Sequence, residues 1–189
     1  MLVSISGSQS TGKSVLIDSF ARLGYPVIER KTSRSILQEW GVTLQDVNNN
    51  RQLTIDFQME IIKRKQQDEL RAIEDEMVIW IGERTYADLF TYFLLSSGFD
   101  NITSAYLDEY YEQCMELQKG YSDVFYLQSG LFPIAADGVR SVNSHYSELA
   151  NETMLKYTKK FTQSDKLTII DVVDLGERIN IIRDKIHTF

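Results

Sequence analysis

Eight consecutive residues near the amino terminus, Gly7, Ser8, Gln9, Ser10, Thr11, Gly12, Lys13 and Ser14, match the pattern G-x-x-x-x-G-K-[S/T] at every defined position. Glycines at both ends let a backbone loop wrap closely, so that successive N–H groups converge on one set of anionic oxygens. Lys13 is placed to reach the β- and γ-phosphates of a nucleoside triphosphate and Ser14 to ligate Mg²⁺, with Gly7 to Val15 forming the contact set. This spacing predicts nucleoside triphosphate binding, with Lys13 exposed in the loop.

A second constellation follows the apolar run Val78-Ile79-Trp80-Ile81, which leads into Gly82-Glu83-Arg84-Thr85-Tyr86-Ala87-Asp88. An acid and a cation at the carboxyl end of a buried parallel strand stand where open α/β sheets bind ligands. There Glu83 can hold the hydration shell of Mg²⁺ or take a proton, and Arg84 can neutralise phosphate charge. Glu29 closes an earlier apolar stretch on the same expected edge, with Arg34 one helical turn on, so both can face a phosphoryl acceptor. Glu29 is a candidate base for the acceptor hydroxyl; the choice between Glu29 and Glu83 stays open. Asp88 and Arg84 join Glu29 and Arg34 as acceptor-side residues. His145 and His187 have no acid or cysteine at motif spacing and are not assigned to the site.

The elements that must carry these residues can be read from hydrophobic period. Short apolar runs at Leu2–Ser6, Pro26–Glu29, Met77–Ile81, Asp123–Leu127 and Leu167–Val172 alternate with stretches of helical period, which predicts an α/β domain with a parallel sheet. Helices are expected from Lys13 to Leu23, stopped by Gly24, from Gln52 to Glu74, from Ser144 to Phe161 and from Leu175 to Ile186. In the long helix Ile55, Met59 and Ile62 form an apolar face that Leu70, Ile73 and Met77 are expected to continue, with its charges serving solvation. Tyr106, Leu107, Tyr110 and Tyr111 recur at helical spacing as a packing face.

Composition sets the outer limits. A chain of 189 residues with 43% hydrophobic and 25% charged side chains is a folded globular domain, and it holds neither a repeat nor a Ser/Gly-rich linker. One domain over residues 1–189 is therefore expected. The formal charge of −7 argues against a protein that grips a phosphate backbone electrostatically. Cys114 is the single cysteine, so no internal disulfide forms, and no Cys/His spacing suits zinc. No apolar run reaches the roughly 18 residues of a membrane span. A cytoplasmic protein without a membrane partner is the expectation.

Taken together, the Gly7–Ser14 loop, the stretch Leu23-Gly24-Tyr25-Pro26-Val27-Ile28-Glu29, the run Glu83-Arg84-x-x-x-Asp88-x-x-x-Tyr92 and the late Asp137-Gly138-Val139-Arg140 resemble the AAA-type P-loop kinases similar to the nicotinamide-riboside kinase domain of NadR. That group usually carries Asp-Arg in the middle motif. Glu83 departs from it, and the Glu-Arg-Ser motif of deoxynucleoside kinases has the same acid, so the subgroup stays open. The resemblance implies a P-loop NTPase three-layer fold whose five-stranded parallel sheet has the order 2-3-1-4-5. It implies ATP as donor with Mg²⁺, and a small acceptor held between the sheet edge and closing helices. Arg140 matches the lid arginine of the family, within a lid segment around 129–150 that holds Gly130, Pro133 and Gly138.

The function expected is transfer of the γ-phosphoryl group of ATP to a nucleoside, nucleotide or riboside. Two alternatives stand beside it: a polynucleotide or modified-base DNA kinase, which the acidic balance disfavours, and an ATPase or switch acting through a protein partner. The sequence lacks the Asn-Lys-x-Asp guanine motif, which disfavours a GTPase. A homodimer is left open.

Overall fold

The computed structural model describes residues 1–28, 33–75, 77–96, 101–130 and 143–187, and for residues 101–103 the backbone only. Four parallel strands, β1 (Leu2–Ser6), β2 (Trp80–Glu83), β3 (Asp123–Leu127) and β4 (Leu167–Ile170), form one sheet in the order β2-β1-β3-β4. Around it lie α1 (Lys13–Arg22), α2 (Ser33–Trp40), α3 (Leu44–Asn49), α4 (Arg51–Glu74), α5 (Tyr86–Ser96), α6 (Asn101–Gln118), α7 (Ser144–Phe161) and α8 (Leu175–Ile186).

Alternation along the central strands divides the core into two. On β1, Leu2 belongs to one apolar cluster and Val3 and Ile5 to the other; on β3, Val124 parts in the same way from Phe125 and Leu127. The second cluster is closed by Leu16, Ile17 and Phe20 of α1 with Ile182 and Ile186 of α8. The first is closed by α4 to α7 and is rich in aromatic rings, with Phe93 edge-on to Tyr110 at 4.9 Å and Phe90 edge-on to Tyr157 at 4.6 Å. Helices on both faces of a parallel sheet give the three layers expected of this sequence pattern. A third cluster, Ile36, Val47 and Phe57, packs α2 and α3 against α4. No helix among the described residues is long and apolar enough to cross a membrane.

The expected helices Ser144–Phe161 and Leu175–Ile186 form with those bounds, capped by Asn143, which accepts from the Tyr146 N–H, and by Asp174, which accepts from the Glu177 N–H. Tyr110 and Tyr111 pack inward as expected, whereas Tyr106 is exposed.

Three expectations need correction. The sheet has four strands among the described residues, not five. The stretch expected as the strand Pro26–Glu29 contributes a single bridge, Val27 to Ile81, with Ile28 N–H donating to Ile81 O at 3.0 Å and Ile81 N–H to Pro26 O at 2.9 Å. Pro26 has no N–H with which to extend the ladder, and Glu29 lies outside the described residues. The bridge falls beside β2, outside the four-stranded ladder.

The strand expected at Met77–Ile81 runs instead from Trp80 to Glu83, because its register pairs Leu2 with Trp80; Met77 has no ladder partner and is 94% exposed. Lastly, Leu70 and Ile73 stand at the surface, and the buried positions in this part of α4 are Glu69 and Ala72. Part of the charged face expected to serve solvation is therefore inside the protein.

Candidate active site

The loop from β1 to α1 uses positive φ at Gly7 (141°), Ser10 (58°) and Gly12 (85°). Gly7 has no room for a side chain, since a Cβ there would lie 2.8 Å from Leu127 O. Gly12 caps α1 with no side-chain hydrogen bond, so the first-turn N–H groups have no side-chain acceptor at the cap. An anion suits that position.

Lys13 is not exposed as expected: it is 5% exposed, and its ammonium donates to Gly7 O at 2.7 Å, to Ser8 O at 2.5 Å and to Thr11 Oγ1 at 3.2 Å. The loop thus curls around its own lysine, because carbonyls turned inward by the positive-φ residues need a donor. Thr11 Oγ1 ties the curl by donating to Ser8 O at 3.0 Å. Of the expected contact set, Ser8 and Thr11 are buried, Gln9, Ser10 and Ser14 are half-buried and Val15 is exposed. Gln9 Nε2 also donates to Ser147 Oγ at 2.8 Å, joining the loop to the first turn of α7.

Behind the loop stands a residue that sequence reasoning did not single out. Arg178 of α8, 2% exposed, donates from Nη1 to Thr11 O and from Nε to Val172 O, both at 2.7 Å. Burial lowers its pKa. The available signal was an arginine at an apolar-face position, three residues after Leu175 and four before Ile182.

The turn after β2 is built differently. Arg84 has φ 64° without being glycine, and β1 secures it: Arg84 N–H donates to Ile5 O at 2.9 Å, while Ser4 Oγ donates to Arg84 O at 2.7 Å. Its guanidinium lies 5.0 Å from the centre of the Tyr92 ring. Burial works against the Arg84 charge, but Tyr92, Asp88 and Glu83 outweigh it and the pKa is raised. Arg84 Nη1 is shielded from solvent without a hydrogen-bond partner.

Asp88, fully buried in the first turn of α5, accepts from Ser6 Oγ in a short hydrogen bond and from Thr85 Oγ1 at 3.0 Å. Thr85 Oγ1 in turn accepts from the Asp88 N–H at 3.3 Å, a local helix-start arrangement legible in Thr85-x-x-Asp88. Burial raises the Asp88 pKa, opposed by Arg84, the Ser6 hydrogen bond and Lys13, and Asp88 Oδ2 has no hydrogen-bond partner. Asp88 is accordingly a strut between the end of β1 and α5.

At the carboxyl edge of β1 and β2, Asp88 thus feels the charges of Arg84 and Lys13, and Arg84 those of Asp88 and Glu83. Tyr126 borders them, its OH donating to Asn151 Oδ1 at 2.7 Å. Arg34, by contrast, is exposed at the start of α2 and lines an open depression of about 740 Å³ with Leu37, Thr43 and Asn48 among its neighbours. Glu29 and Arg140 lie outside the described residues, as do Pro133 and Gly138 of the lid segment. His145 is exposed, and His187 Nε2 is 2.7 Å from Tyr25 OH.

A family model described as an AAA domain matches residues 2–178. The chain belongs to this AAA-domain family. No curated protein sequence matches it. Among solved structures, the deoxyadenosine kinase from M. mycoides with products dCMP and a flexible dCDP bound is similar at 15% identity and TM-score 0.71, over 100% of both chains. NadR in complex with NR is similar at 18% identity and TM-score 0.73, over 100% of this chain and 51% of that one, so the family domain seen here spans about half of the NadR chain. The deoxyadenosine kinase with dCTP bound gives 17% identity and TM-score 0.67. At such identities the likeness is one of fold.

Proposed function

We propose that the protein is an ATP-dependent phosphotransferase that moves the γ-phosphoryl group of ATP to a small nucleoside, nucleotide or riboside. The observation that carries this reading is that the end of β1 gathers the loop lysine, Lys13, bonded to Gly7 O, the Arg84 turn, bonded to Ile5 O, and the buried Asp88, bonded to Ser6, at one sheet edge. A loop that only binds triphosphate needs no second cation held in a costly backbone conformation on the neighbouring strand. Its resemblance in fold to deoxyadenosine kinase and NadR supports the same chemistry.

In this reading the loop N–H groups and Lys13 hold the β- and γ-phosphates, with Lys13 exchanging its bonds to Gly7 O and Ser8 O for phosphate oxygens. The acceptor hydroxyl oxygen attacks phosphorus while the bond to the ADP oxygen breaks, and the hydroxyl proton passes to a carboxylate, Glu29 or Glu83. Arg84 stabilises charge on the transferring group, and Arg140 joins it from the lid. Against the cost of its burial, Tyr92 and Asp88 favour the Arg84 charge. The half-buried Ser14 hydroxyl and the half-buried Glu83 carboxylate are oxygen donors of the kind that Mg²⁺ takes and would hold it, supplying charge neutralisation on the phosphates.

The test is incubation with γ-labelled ATP, Mg²⁺ and a panel of nucleosides, nucleotides, nicotinamide riboside and DNA ends. Label on a small riboside is expected. Label on DNA ends alone would favour a polynucleotide kinase, and release as phosphate alone would favour an ATPase.

A further inference from the structure

The ion pair Lys65–Glu69 on α4 has no part in the chemistry described above, and it is in the wrong place for an ordinary helix pair. Such i,i+4 pairs normally lie in solvent and contribute a few tenths of a kcal/mol. Here the Lys65 side chain is 13% exposed and that of Glu69 1%, with Lys65 Nζ 2.6 Å from Glu69 Oε1. A buried pair of this kind stabilises a fold little once desolvation is counted, so its placement calls for another reason.

The remaining contacts of the pair supply one. Tyr121 OH donates to both Glu69 oxygens, at 3.0 and 3.2 Å, which anchors the carboxylate. The Lys65 ammonium lies 5.5 Å from the ring centre of Tyr86 and 6.0 Å from that of Tyr121, rings that stack on each other at 5.8 Å. Its further hydrogen bond, at 3.2 Å, goes to Glu83 O. That carbonyl belongs to the peptide that enters Arg84, the non-glycine residue at φ 64°. A residue with a Cβ in this region costs about 1–2 kcal/mol and persists only where its surroundings over-determine it. β1 supplies two of the restraints, through Ile5 O and Ser4 Oγ. Lys65 supplies a third from the opposite side of the turn.

We propose that Lys65 is a positioning residue: oriented by Glu69 and Tyr121, it holds the Glu83–Arg84 peptide so that the Arg84 guanidinium keeps its place over the Tyr92 ring. The consequence for turnover rests on the reading that Arg84 stabilises the transferring phosphoryl group. The effect on the position of Arg84 does not.

The experiment uses the full chain and the double variant Lys65→Met/Glu69→Gln, which leaves no buried unpaired charge and keeps an acceptor for Tyr121 OH. The first measurement is the ¹⁵N NMR signal of Arg84 Nε–H, identified by its loss in Arg84→Ala. The signal is expected to shift or broaden in the double variant and to stay near its native position in Lys65→Arg, which retains a donor. An unmoved signal in the folded double variant overturns the proposal. The second is turnover of ATP with Mg²⁺ and deoxyadenosine, in the presence and absence of Arg84→Ala. The double variant is expected to lower kcat roughly 10- to 100-fold with the KM for ATP little changed, and to cost nothing more once Arg84 is alanine. An equal loss in both backgrounds means that the pair acts by general stability and overturns the proposal. If Arg84→Ala leaves turnover intact, the phosphotransfer reading fails, while the NMR signal still decides whether Lys65 positions Arg84.

Discussion

The turns that leave β1 and β2 stand side by side at one edge of the sheet and solve one problem in two ways. Both use backbone at positive φ to reverse the chain at the carboxyl ends of their strands. The β1 turn places glycine at two of its three positive-φ positions, Gly7 and Gly12, where no Cβ penalty arises, and Ser10 at the third. The β2 turn uses an arginine, so that the reversal delivers a guanidinium at the same edge; the backbone cost is then offset by bonds from Ile5, Ser4 and Lys65. At its glycines the β1 turn bears no Cβ cost, whereas the arginine at the β2 turn bears one that the rest of the fold must offset. Its reward is a side chain whose position is set by the strand and not by rotamer freedom alone.

The largest effect is expected at the β1 turn. Lys13→Ala should lower triphosphate turnover about 10³-fold. Because Lys13 is also the donor to Gly7 O and Ser8 O, the variant should lose about 1–3 kcal/mol of stability. Turnover assays with urea unfolding check both. Unchanged stability would mean that the lysine does not hold the loop, and the contrast between a backbone-built turn and a tertiary-held one would weaken.

The β2 turn comes next. Arg84→Ala and Arg84→Gly should each lower kcat roughly 10²-fold. The two should part in stability, with the glycine variant about 1 kcal/mol the more stable, since only the alanine keeps a Cβ at φ 64°. Equal melting points for the two variants would remove the strain from the account.

Glycine substitutions sharpen the comparison from the other side. At Gly7 a Cβ would meet Leu127 O at 2.8 Å, so Gly7→Ala should cost about 2–4 kcal/mol. Gly24, at φ 90° with nothing within 4 Å of a Cβ, meets only the backbone penalty, and Gly24→Ala should cost about 1 kcal/mol. Denaturant midpoints separate the two.

The smallest effect concerns the acid between the turns. Burial holds the Asp88 pKa above 3.8, so the folded protein keeps that proton more tightly than the unfolded chain. The stability linked to Asp88 is therefore present below the unfolded value and is lost as pH rises through the folded one. Asp88→Asn should gain stability relative to the wild type between pH ~4 and pH ~7, measured as the difference in unfolding free energy at the two ends. A constant difference would show that the Asp88 pKa is not raised by folding.

Much of the frame was readable before any coordinates. The loop from β1 to α1 carries its own instructions because glycine, lysine and serine at fixed spacing sit between an apolar run and a helical period. The helices Ser144–Phe161 and Leu175–Ile186 were legible because period and cap signals at Asn143 and Asp174 act within a few residues. Met77 misled because an apolar run marks strand potential and not where a partner strand begins to pair. Glu69 misled because charge at helical spacing looks the same whether the face meets water or Lys65 and Tyr121.

The amino-acid sequence by itself determined the glycine pattern of the Gly7–Ser14 loop, the alternation of strands and helices and the presence of Glu83 and Arg84 at a strand end. Tertiary structure alone decided that Lys13 is turned into its loop, that Arg84 takes positive φ, that Arg178 braces Thr11 from behind and that Lys65 reaches Glu83 O. The first group follows from interactions among residues close in the chain, which period and spacing record. In the second, the Arg178–Thr11 contact joins residues 167 positions apart. Such bonds are worth forming only after the layers have packed and excluded water from them, and no local pattern carries that information.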